Sequence, residues 1–125
     1  MAKNDFINDF IQLAKDSADG IHAVSIVDIS SGMSLGSFSD GTLDPDVASA
    51  YNVEVVKAKL KAISALGLKD TIEDILITLS SQYHLIACTN NGDHMIYLAA
   101  DRKKSNLAIL RNILNQGVDD LGKKL

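Results

Sequence analysis

The chain has 125 residues, 46% of them hydrophobic and 22% charged, with one cysteine, no tryptophan and a formal net charge of -4. Length and mix describe one soluble globular domain spanning residues 1–125, able to bury a core without disulfide or metal staples. The acidic balance disfavours nucleic acid as a partner. No apolar run reaches the roughly 18 residues of a membrane span, so membrane insertion is not expected. The acid-bearing start Met1-Ala2-Lys3-Asn4-Asp5 does not read as a secretory leader.

Asn4 is placed to cap a first helix lasting to about Ser17, with Phe6, Phe10, Leu13 and Ala14 on its apolar face and Asp9 and Asp16 outside. Asp19-Gly20 breaks it. Ile21–Ile29 is rich in β-branched residues and reads as a strand apolar on both faces, Val24 and Ile26 on one and Ala23, Val27 and Ile29 on the other. Ser30-Ser31-Gly32 turns the chain into a short strand, Met33 to Phe38, and Ser39-Asp40-Gly41 leads to a long helix. Beyond that helix, Thr71–Leu79 and Tyr83–Thr89 read as strands. Asn91-Gly92 is a strong hairpin signal leading into a fifth strand, His94–Ala100. A two-residue turn there would pair Ala87 with Ile96 and Leu85 with Leu98 on one face, and Ile86 with Tyr97 and Cys88 with Met95 on the other. With both faces apolar, helices must cover the sheet on both sides. A last helix runs from about Ser105 to Leu121, capped by Ser105 or Asp101.

The long helix organises the rest. Asp44 is a good N-cap, Pro45 suits the first helical position, and Gly67 follows the end. At about 100° per residue its apolar side chains form two arcs: Val47, Tyr51, Val55, Ala58, Ala62 and Leu66 on one, Val53, Val56, Leu60 and Ile63 on the other. One sheet needs one arc. The expectation is that the Val47 arc covers the sheet and the Val53 arc meets a second protein surface. Charge is also uneven: residues 1–56 carry nine acids and two bases, residues 57–125 seven acids and ten bases. Separate acidic and basic surfaces favour protein contacts.

The element order is αββαβββα, an α+β fold (an α/β sandwich) with a five-stranded antiparallel sheet and helices on both faces. This order resembles the Roadblock family, named for the Roadblock-type dynein light chains; longin and profilin domains have related architectures. Gly20-Ile21-His22-Ala23-Val24-Ser25-Ile26-Val27-Asp28 resembles the family's first strand. Ser30-Ser31-Gly32-Met33-Ser34-Leu35 resembles its Gly-bearing hairpin, and Ser105-Asn106-Leu107-Ala108-Ile109-Leu110-Arg111 the opening of its last helix. The Asn91-Gly92 region matches no family signature. The resemblance implies homo- or heterodimers in which the long helices pack together and the second strands join two sheets. It thereby implies an interface at Val53, Val56, Leu60, Ile63, Met33 and Leu35. It also implies a cytoplasmic, non-catalytic platform that regulates or scaffolds a Ras-like small GTPase, without a cofactor; bacterial members regulate gliding-motility GTPases.

Other chemical patterns compete with that reading. Gly32-Met33-Ser34-Leu35-Gly36 satisfies the G-x-S-x-G pattern of a hydrolase elbow, but that elbow needs a helix directly after the serine on a large parallel sheet. Here Gly32 reads as a turn residue. His84 and Cys88 share a strand face and His94 opens the next strand, too few ligands for zinc; Cys88 reads as a small buried hydrophobe. No G-x-x-x-x-G-K-[ST] occurs, so the chain is not itself a P-loop GTPase. Arg102-Lys103-Lys104 is short for a lipid-binding patch and reads as a solvated loop. The competing function is a small-molecule-binding sensor domain, for which Ser25, Thr78 and His84 offer few converging polar groups.

Overall fold

The computed structural model describes residues 2–89 and 92–124. In order these form α1 (Ala2–Ser17), β1 (Ile21–Asp28), β2 (Ser34–Ser39), α2 (Pro45–Ala65), β3 (Ile75–Thr78), β4 (Gln82–Cys88), β5 (His94–Asp101) and α3 (Leu107–Lys124). The strands make one five-stranded sheet in the order β2-β1-β5-β4-β3, with every neighbouring pair antiparallel. The β4–β5 register pairs Ala87 with Ile96, Leu85 with Leu98, Ile86 with Tyr97 and Cys88 with Met95, as the hairpin reading required. Asn91, half of the expected turn, lies outside the described residues, while Gly92 adopts φ +76°.

Two cores follow from the two-faced strands. On one face Ile7, Phe10 and Ala14 of α1 and Leu110, Leu114 and Leu121 of α3 pack on Val24, Ile26, Leu85, Ile96 and Leu98. Two glycines allow the close approach: a Cβ at Gly117 would stand 2.4 Å from the Phe10 ring, and one at Gly36 2.6 Å from Ile7. On the other face Val53 and Val56 of α2 pack on Ala23, Val27, Met95, Tyr97 and Ala99. A register shift between Ile21 and Ala23 lets Ile21 join the first core although Ala23 belongs to the second.

Three element starts depart from the sequence reading by two residues or more. α1 begins at Ala2, so Asn4 lies inside its first turn rather than capping it. α3 is capped by Asn106, whose Oδ1 accepts from the N–H groups of Ala108 and Ile109. Asp101 instead closes the preceding turn, accepting from the N–H groups of Lys103 and Lys104. β3 begins at Ile75, not Thr71, because its pairing with β4 starts at Ile75–Ile86. Asp74, the residue before it, is held by Arg111 of α3. At α2 the grammar holds: Asp44 Oδ1 accepts from the N–H groups of Asp46 and Val47, and Pro45 opens the helix.

Candidate protein-interaction surface

α2 lies over β1 and β2, the sheet edge opposite β3. Its buried residues are Ser49, Asn52, Val53 and Val56. Val53 and Val56 are 3% and 0% exposed, whereas Val47 and Tyr51 are 54% and 74% exposed. The sequence reading is therefore corrected: the Val53 arc, not the Val47 arc, covers the sheet. Both arcs are apolar, and the side of the helix that meets the sheet also buries the small polar residues Ser49 and Asn52. Past Val56 no residue of α2 is buried. Leu60 belongs to the sheet-facing arc yet is 43% exposed, and Ile63 on the same arc is half-exposed. The expected interface set thus divides. Val53 and Val56 belong to the core of their own chain; Leu60, Ile63, Met33 and Leu35 remain at least partly open. Met33 occupies the β1–β2 turn and is 67% exposed.

The edge strand β2 completes this surface. The Asp40 N–H donates to the His22 carbonyl. By the alternation of an antiparallel pair, Phe38 and Gly36 also turn their N–H groups to β1, leaving that of Ser37 facing outward, and the register shift beyond Gly36 ends the alternation before Leu35. β2 carries no charge and no proline, the usual guards of an exposed edge.

Side chains at both ends of β1 fix the flanking loops. Asp28 accepts from the hydroxyls of Ser30 and Ser31 and from the Ser31 N–H, which holds its carboxyl below the usual range and shapes the turn that presents Met33. At the other end His22 Nδ1 lies 2.8 Å from Asp40 Oδ2. The hydrogen bond to His22 and those from Thr42 push the Asp40 carboxyl down to about 2. Nothing in the spacing of His22 and Asp40 announced this clamp, because it forms across the β1–β2 pair rather than within one element.

The remaining chemical candidates resolve into structural roles. Ser34 opens β2 and is followed by strand, and its hydroxyl donates to the Gly36 carbonyl, so the geometry is not that of a nucleophile elbow. His84 shares hydrogen bonds with Gln82 and Tyr97, and burial lowers its pKa. Burial also pushes Tyr97 up to about 12. Cys88 is half-buried rather than buried, its thiol raised by the same desolvation. Among the described residues no three His, Cys, Asp or Glu side chains converge on a metal position. Arg102 donates to the Leu79 carbonyl and lies over the Tyr83 ring, so the basic triplet is partly spent within the chain. No described helix is long and apolar enough to cross a membrane.

No protein-family model matches the sequence, and no curated protein matches it. Solved structures do. MglB of Myxococcus xanthus aligns at 15% identity over 97% of this chain and 88% of its own, with a TM-score of 0.84. The gliding protein MglB of Thermus thermophilus aligns at 9% identity over 98% of this chain and 90% of its own, with a TM-score of 0.82. A Roadblock/LC7 domain from Streptomyces avermitilis aligns at 14% identity over 92% of this chain and 93% of its own, with a TM-score of 0.78. The chain has the Roadblock/LC7 fold.

Proposed function

We propose that the chain is a cytoplasmic, non-catalytic dimeric module, one domain from end to end, that regulates or scaffolds a Ras-like small GTPase. The observation that carries this reading is the pairing of an unguarded β2 edge with exposed apolar side chains on α2 and the neighbouring turn: Val47, Tyr51, Val55, Leu60 and Met33. An apolar helix arc left uncovered, as Val47, Tyr51 and Val55 are here, marks a contact surface on soluble proteins. Burying each large side chain is worth about 1.5–3 kcal/mol, and twofold symmetry repeats every contact. The Roadblock/LC7 fold, shared with a gliding protein, supports the GTPase part of the reading. The sensor alternative finds less support: the cleft near the start of α3 is about 230 Å³, below the roughly 300 Å³ where small-molecule sites begin.

Light scattering on the wild type and on Tyr51→Asp tests the dimer. The wild type should have twice the chain mass. Tyr51→Asp should shift to monomer with an unchanged circular dichroism spectrum, because Tyr51 is exposed and not needed by the core. A wild-type monomer at high concentration overturns the proposal. Pull-down from the source cell, scored for a Ras-like GTPase, tests the partner.

A further inference from the structure

The stripe of α2 that the sheet leaves uncovered has the same spacing in both directions. Val47, Tyr51, Val55, Ala58, Ala62 and Leu66 follow at intervals of four, four, three, four and four residues, symmetric about the peptide between Val56 and Lys57. Leu66, the C-cap, keeps helical backbone and so continues the spiral. Ala62 is half-buried and the other five are exposed. Size is complementary about the same centre: Tyr51 mirrors Ala62, and Val55 mirrors Ala58. Charge is complementary too. Residues 44–56 carry three acids and no base, residues 57–69 four lysines and no acid. The helix dipole favours acids in the first turn and bases in the last, and its influence fades within those turns. Glu54, Lys57, Lys59 and Lys61 all lie outside them. Glu54 and Lys61 are seven residues apart, which sets them within about 20° of each other on one flank of the stripe. Neither makes an ion pair among the described residues.

We propose that this stripe receives the same helix of a second copy, running antiparallel, in a register that sets Tyr51 on the partner's Ala62 and Glu54 beside the partner's Lys61. The inference rests on the dimer reading above and adds to it the identity and direction of the partner. An isologous contact must be complementary to itself. A twofold axis perpendicular to α2 at the centre of the stripe brings each residue over its mirror position, so bulky side chains meet small ones twice over. The same axis returns each flank of the stripe to the same flank of the partner. Glu54 and Lys61 then approach with an offset of about 3 Å along the helix, which their long side chains span, and the pair forms twice. A parallel pair would instead stack Tyr51 on Tyr51 and crowd Lys57, Lys59 and Lys61 of both copies, a like-charge contact that complementary interfaces avoid. A helix of different sequence has no reason to share the reversed spacing, so the surface fits its own copy best.

Sedimentation equilibrium on the full chain tests the register. Glu54→Lys and Lys61→Glu should each weaken the dimer about tenfold, since each turns two attractions into two repulsions. Joined in one chain, Glu54→Lys/Lys61→Glu should return the dissociation constant to within about threefold of the wild type. Within one chain the two positions stand about 10 Å apart along the helix, too far to pair, so recovery reports a contact between chains. Ala62→Tyr should weaken the dimer about tenfold or worse by setting tyrosine against tyrosine, and Tyr51→Ala/Ala62→Tyr, which exchanges the large and small partners, should recover it. Circular dichroism confirms that each variant folds. Single changes without effect, or a failure of either combination to recover, overturn the register while a dimeric wild type leaves the dimer reading standing. A monomeric wild type overturns both.

Discussion

The seam between α2 and the sheet buries two hydroxyls that meet no partner among the described residues, Ser25 Oγ and Ser49 Oγ. An orphaned buried hydroxyl costs about 1–3 kcal/mol relative to its hydrated state, and serine is also a poorer helix former than alanine. Ser49→Ala should therefore stabilise the chain by about 1 kcal/mol, read as a higher urea midpoint with an unchanged slope; a loss of stability would mean that the hydroxyl has a partner. The His22–Asp40 clamp gives a second residue-scale outcome. The folded pKa of Asp40 is depressed from 3.8 to about 2, so its contribution is fully present above the unfolded value and is lost as pH falls through the folded one. The melting temperature of Asp40→Asn should lie below that of the wild type at pH 6, and the gap should close as pH falls from about 4 toward 2. A gap independent of pH would show that the aspartate acts through shape rather than charge.

α2 is positioned first by its own terminus. Asp44 satisfies two N–H groups that the helix leaves unpaired, and losing such a cap costs about 1 kcal/mol. Asp44→Ala should lower stability by that amount in denaturant unfolding, while Asp44→Ser should restore most of it. This cap was legible in the sequence, as were the order of the elements and the β4–β5 register, because each rests on local chemistry: a capping residue beside Pro45, β-branched runs, a hairpin turn. What was not legible depends on where one element stops relative to another. The two arcs of α2 are equally apolar along the chain, and only the finished fold shows that Val53 and Val56 pack on the sheet while Leu60 and Ile63 on the same arc stay partly exposed. The start of β3 was misplaced for a related reason: the alternation of Ile75, Ile77 and Leu79 marks a strand without marking where it begins, and β4 offers Thr71 to Asp74 no partner.

At the scale of the molecule, the proposed dimer has a candidate contact in the β2 edge. Its outward N–H groups include that of Ser37, whose own-sheet partner on β1 is Ser25. Proline cannot donate, but within an edge strand it is tolerated where the N–H faces away from the sheet. Ser37→Pro should thus remove a donor from any second sheet while leaving the β1–β2 ladder of its own chain intact. Gly36 precedes it in extended backbone, the conformation that a residue before proline prefers. The expected outcome is a folded chain with a far-UV spectrum close to wild type and a dimer about tenfold weaker or worse by sedimentation or light scattering at matched concentrations. Ser37→Lys supplies an independent check, since edge lysines discourage strand-to-strand pairing without altering the backbone. If both variants stay dimeric while Tyr51→Asp dissociates, the copies meet through their helices alone and the two sheets remain separate. If both dissociate along with Tyr51→Asp, strand and helix belong to one continuous interface, and the uncharged sequence of β2 is explained by what it pairs with.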